Sequence, residues 1–211
     1  METSLGAPGT LIKVLLTCGV LAALTYCGTD ILAGLLTPGY RFDSQSASVL
    51  SGSGIRTRSF MLPLDLLAGI LMIAFAAGVW SSAGQNWVLR VMAGLLAGNA
   101  ILTMVALSFF PMHPAEPSTT PANTMNVIIM AVGLFSYLFA IGFGAAANQN
   151  WFRYFSIGTL LLFVLGAIFS LVINKMIPGG QPGPTTGIQE RTMFYAMNLW
   201  LALQAIVLLR G

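Results

Sequence analysis

Long apolar stretches, each about as long as a bilayer requires, alternate along this chain with shorter polar segments. A spanning helix needs about 20 predominantly apolar residues, and six stretches qualify: 11–36, 60–81, 87–110, 125–147, 151–174 and 193–210. The segments between them are of two kinds. Residues 37–59, 111–124 and 175–192 are long and rich in Pro, Gly, Ser and Thr, whereas 82–86 and 148–150 are tight turns. An even number of crossings puts both termini on the short-turn side, leaving one face bare and the other elaborated. The pattern predicts an all-α integral membrane protein, a six-transmembrane-helix bundle forming a single domain over residues 1–211. The first stretch reads as a retained span: it holds Lys13, lacks a small-x-small cleavage site, and departs from a lipoprotein box at Thr17, before Cys18.

One internal repeat is visible. Gln85-Asn86-Trp87, with Gly94 following, recurs 64 positions later as Gln149-Asn150-Trp151 with Gly158, each copy at a tight turn and each carrying an arginine, Arg90 and Arg153, one position out of register. Spans 2–3 and 4–5 therefore read as a duplicated helical hairpin in one orientation, flanked by spans 1 and 6. Small residues at Gly94 and Gly98, and again at Gly142 and Gly144, are expected to let helices approach closely. Asn99, Asn126 and Asn198 are expected to hydrogen-bond between helices.

Composition sharpens the class. Hydrophobic residues make up 56% of the chain and charged ones 7%, against about 25% charged in a soluble domain, which excludes a soluble enzyme or a disordered chain. The nine Lys and Arg that leave a net charge of +3 include no adjacent pair. No basic patch results, and no nucleic-acid partner is expected. Membrane lipids, and other membrane protein subunits, are the expected partners. Cys18 and Cys27 stand nine residues apart on one helix, about 13 Å, too far to bond. Trp80, Trp87 and Trp151 cluster at the short-turn face, as rings at a headgroup boundary do. Cations divide almost evenly between the faces. Those of the looped face can pair locally with Asp30, Asp43, Asp65, Glu116 and Glu190, so the termini are expected on the cytoplasmic side of a cell (inner) membrane.

Candidate chemistry gathers on the looped face. An ionisable residue at span depth costs at least about 2.5 kcal/mol and is usually kept for a reason. Asp65 lies within two turns of the start of span 2, where the helix dipole favours a carboxylate. Asp30 lies in the C-terminal half of span 1, where the dipole disfavours one, so it requires a cation or donor: Arg41, Arg56, Arg58 or Arg191. His113, the single histidine, cannot supply two haem ligands or a three-histidine zinc site. Lys13 and Lys175 are not mid-span, where a retinal Schiff base would form. No P-loop, GxSxG or HExxH motif is present. No cofactor or metal is expected.

Short motifs also occur in a particular order: Thr37-Pro38-Gly39-Tyr40, Ser48-Val49-Leu50, Gly69 within span 2, Phe110-Pro111-Met112, and Gly187-Ile188-Gln189-Glu190-Arg191 before Leu199-Trp200. In this the chain resembles the bacterial and archaeal six-span family of "domain of unknown function 998" type, over nearly its whole length. Where many members carry an acid soon after Phe-Pro this chain has His113 and Glu116, and where a histidine often opens span 4 it has Thr124-Met125-Asn126. The resemblance implies a six-helix membrane protein without an established reaction. Its matching positions Tyr40, Ser48, Pro111, Glu190 and Arg191 map to the looped face near Asp30. Loops converging there over the bundle mouth would make a polar-lidded apolar pocket. The candidate ligand-binding residues are Asp30, Tyr40, Arg41, Arg56, Arg58, Asp65, His113, Glu190 and Arg191. Three classes follow: a protein that binds a lipid or small amphiphile under the loops, an accessory subunit of a larger membrane complex, and a membrane hydrolase using Ser48, His113 and a carboxylate. The last has least support.

Overall fold

Inside lipid every backbone polar group must be satisfied by the segment itself, which selects helices. Six form: α1 (Thr10–Leu36), α2 (Arg58–Ser82), α3 (Trp87–Phe109), α4 (Pro121–Ala147), α5 (Trp151–Met176) and α6 (Thr186–Arg210). The computed structural model describes residues 9–52, 55–113, 119–176 and 184–210. All six helices are long and apolar enough to cross a membrane. With 23 residues in the shortest, each rises about 35–40 Å.

Helix ends follow local chemistry. The Asn86 side chain accepts from the N–H groups of Val88 and Leu89 at the start of α3, and Pro121 opens α4, where its missing N–H costs nothing. The two tight turns reverse through left-handed residues, Gly84 (φ +52°) and Asn150 (φ +64°), types that tolerate that region. Equivalent positions of the repeat thus do different work: Asn86 caps a helix and Asn150 makes the turn. The arginines, one position out of register, do similar work. Arg90 lies over the ring of Trp80 at the end of α2, 5.7 Å from its centroid, and Arg153 Nε donates to the carbonyls of Ala145 and Asn148 at the end of α4. Each cation meets the negative end of the preceding helix.

Each helix packs against its sequence neighbours and α6 returns to α1, closing the bundle into a ring. Phe75, Met92, Leu96, Tyr137, Phe152 and Trp200 fill its short-turn half. There Trp200 Nε1 donates to Ser156 Oγ at 2.8 Å, and a Cβ on Gly144 would stand 2.5 Å from the Trp200 ring. Trp80, Trp87 and Trp151 remain exposed at the short turns.

The structure corrects two expectations. Helix α6 starts at Thr186 and α4 at Pro121, earlier than the apolar stretches beginning at 193 and 125. Their first turns are polar because those side chains bond to loops and to α1 instead of facing lipid. The expected seam at Gly94, Gly98 and Gly142 is absent: a Cβ on any of them would meet open space. These positions face outward; of the glycines expected to allow close approach Gly144 does so, and further close approaches fall at Gly19 and Gly78. Cys18 and Cys27 are free.

Candidate functional site

A buried ion pair ties α1 to α6, and the loop after α1 docks on its cation. Asp30 and Arg191 meet side-on, Arg191 Nε to Oδ2 at 2.9 Å and Nη2 to Oδ1 at 3.0 Å, with side chains 6% and 9% exposed. The cation that Asp30 requires at its helix C-terminus is therefore Arg191, 161 positions away. Tyr195 donates to Asp30 Oδ2 at 2.5 Å. Arg191 Nη1 donates to the carbonyls of Phe42 (3.1 Å) and Gln45 (3.0 Å), and its guanidinium lies 4.9 Å from the Phe42 ring centroid and 5.4 Å from that of Tyr40, within cation–π range. Tyr40 Oη accepts from Arg191 Nη2 at 2.5 Å and shares its own hydrogen between the carbonyls of Gln45 and Ser46. Burial pushes the Tyr40 phenol up, keeping it a neutral donor.

Local sequence makes this docking feasible. Gly39 turns the chain in the left-handed region (φ +75°). Gly187 lets the loop backbone lie against α6, since a Cβ there would collide with the Phe42 carbonyl and stand 2.5 Å from that of Gln45. Glu190, one residue before Arg191, accepts from the Ser46 hydroxyl and from the N–H of Ala47 at 3.1 Å, holding the N-terminus of the one-turn 3₁₀ helix Ala47–Val49. Arg191 and Glu190 together carry the loop over the mouth of the ring.

Beneath that loop lies a cavity of about 320 Å³. Helices α1, α2, α3, α4 and α6 all contribute to it, through Tyr26 and Asp30, Asp65 and Gly69, Asn99 and Thr103, Met130 and Tyr137, and Glu190, Phe194 and Asn198. Most of the wall is apolar. The oxygens of Asp30 are taken by Arg191 and Tyr195, and one of Glu190's by the loop. Asp65 makes no hydrogen bond or ion pair among the described residues, nor does the hydroxyl of Tyr26. Nothing in the sequence singles out Tyr26, Asn99, Thr103, Phe194 or Tyr195 for this site. Asn99 and Asn198, expected to join helices, instead bond within their own, to Thr103 and to the Phe194 carbonyl.

The remaining candidates are dispersed. Arg41 pairs with Asp43 at the surface at 2.8 Å. The Arg41 guanidinium holds the Asp43 carboxyl down at about 2. Arg58 bridges the carbonyls of Ser51 and Leu107, both at 2.8 Å, joining loop to α3. The Arg56 side chain has no partner among the described residues. His113 is held by its backbone to Asn123, and its Nδ1 is buried without a partner. No hydrogen bond joins that imidazole to a carboxylate or hydroxyl among the described residues. Ser48 lies on the 3₁₀ turn, with its side chain outside the described set, as are Glu116 and the side chain of Lys175. No three His, Cys, Asp or Glu among the described residues are grouped to hold a metal ion.

The chain belongs to the family described as "Protein of unknown function (DUF998)", whose model matches residues 20–207. That span includes all three acids of the cavity and Arg191. No curated protein and no solved structure matches the chain.

Proposed function

We propose that this member of the DUF998 family is an intramembrane binding protein whose ligand, a lipid or other small amphiphile, sits in the cavity beneath the looped face. The observation that carries this reading is the cavity itself. Five of the six helices leave about 320 Å³ unfilled, within the range of small-molecule sites, about 300–1,000 Å³. Apolar walls suit a hydrocarbon tail. The polar groups cluster toward the loop end, where Asp65 has no partner among the described residues, and an ionisable residue at this depth is by default a functional one. Arg191 and Glu190 serve by holding the loop in place over the mouth.

A second reading, an accessory subunit in a larger membrane assembly, is favoured by one observation. Gly94 and Gly98 stand on an α3 face with open space where their Cβ atoms would be, a groove into which a foreign helix could pack.

Mild solubilisation of the full chain, followed by mass spectrometry of all that travels with it, separates the two. Binding predicts one enriched amphiphile, lost in Ala131→Phe, since Ala131 of α4 lines the cavity and a ring there would occupy it. A stoichiometric protein partner, with the same lipid profile in native and Ala131→Phe protein, would replace this reading with the subunit one.

A further inference from the structure

The charged groups of the cavity are all of one sign. Resting on the binding reading above, we infer that the ligand carries an ammonium head, with Asp65 as its counter-ion and the rings of Tyr26 and Phe194 beside it.

Among the described residues no Lys, Arg or His lines the cavity, whereas Asp30, Asp65 and Glu190 do. Arg191 offsets one of these acids, through two hydrogen bonds to Asp30. The next cation at the mouth, Arg58, is committed to the Ser51 and Leu107 carbonyls. An anionic head would enter a negative field, and beside a neutral one Asp65 would bear an uncompensated charge or have to take up a proton, each at a cost. A cation offsets that cost.

The walls agree with the charge. Tyr26 and Phe194, both in the cavity wall, stand with ring centroids 6.4 Å apart and tilted by 55°. Aromatic faces beside a carboxylate are the surroundings an ammonium prefers. The Tyr26 hydroxyl is free to accept an N–H. Asn198 spends its Nδ2 on the Phe194 carbonyl, leaving its amide oxygen as a further acceptor. A divalent metal would need several oxygens converging on one point, and no such group of three exists among the described residues. The volume, near the lower end of small-molecule sites, suits a single-chain amine held whole. The adaptable side chains of Met72 and Met130 lie along the apolar part.

The same chemistry could reach the cavity as a free alkylamine or as the ethanolamine head of a bilayer lipid, and the test separates them. The purified full chain is placed in phosphatidylglycerol nanodiscs and titrated with octylamine, octanol and octanoate, apparent affinities being read from the thermal shift. Octylamine should bind about tenfold more tightly than octanol, equivalent to ~1.4 kcal/mol, and octanoate most weakly. Asp65→Asn should erase the preference and Tyr26→Phe reduce it. Asp43→Asn, on the surface, should leave it unchanged. Phosphatidylethanolamine nanodiscs should weaken octylamine if the natural occupant is a lipid head, and leave its affinity unchanged if it is a free amine. Octanol bound as tightly as octylamine, with Asp65→Asn and Tyr26→Phe without effect, would overturn the ammonium assignment while amphiphile binding stood. No shift with any probe, together with an Ala131→Phe lipid profile identical to the native one, would overturn both.

Discussion

Replacing Asp30 by Asn tests whether the loop is held over the cavity by charge. The substitution keeps shape and removes one buried charge, leaving the Arg191 guanidinium without its counter-ion while both positions stay under 10% exposed. Breaking a buried pair from one side typically costs 3–5 kcal/mol. Here the stranded cation keeps the carbonyls of Phe42, Gln45 and Gly187 and the faces of two aromatic rings, so the lower end applies, about 3 kcal/mol. For a chain of this size that is a fall in Tm of roughly 6–12 °C, measurable by thermal unfolding in mild detergent. Asp43→Asn is the control. Its pair with Arg41 is solvent-exposed on both sides, and Tm should not move measurably. Asp30→Asn combined with Arg191→Met removes both charges and should cost less than the two single losses added, by about 2 kcal/mol of coupling. Equal Tm values for Asp30→Asn and Asp43→Asn, or strict additivity in the double variant, would refute the reasoning.

Two further outcomes follow from the packing and the loop. Gly187→Ala drives a methyl group into the Phe42 and Gln45 carbonyls and should destabilise by about 1–3 kcal/mol, read as lost loop protection in hydrogen exchange; Gly94→Ala, into open space, should raise Tm slightly by its helix propensity. The Asp43 carboxyl, lowered from 3.8 to about 2 by Arg41, helps order its own exposed loop above its unfolded value and loses that local effect as pH falls through the folded one, without a measurable change in Tm. Exchange around residues 41–45 should therefore rise only between about pH 4 and 2, and Asp43→Asn should abolish that step.

The spans were legible because the bilayer imposes one length and one composition on each of them. Every apolar stretch became a helix, with ends misplaced only where polar residues continue it. The early start of α6 was hidden because Gly187, Glu190 and Arg191 look like loop chemistry in sequence; they are helical because each bonds to, or makes room for, a segment more than 140 positions away. The outward Gly94 and Gly98 show the opposite limit. Small-residue spacing signals that a helix can be approached closely, but not from which side, and periodicity carries no information about neighbours around a ring.

Asp30 and Asp65 show why residue type and helix position rank a site poorly. Asp30 stands at the unfavourable end of its helix dipole, yet its carboxylate is fully engaged by Arg191 and Tyr195. Asp65 stands toward the favourable end, but seven residues into α2 it is beyond the first turn, where that field acts, and it receives no donor among the described residues. The satisfied network is a fastener. A ligand that drew on Asp30 would first have to separate a bidentate pair already bonded to the loop, a cost that no contact in the apolar cavity offsets. The unsatisfied group carries no such debt, so binding energy is available at Asp65 and not at Asp30. The two substitutions should accordingly part company: Asp30→Asn lowers stability and acts on the ligand only through the loop, whereas Asp65→Asn spares stability and acts on the ligand directly.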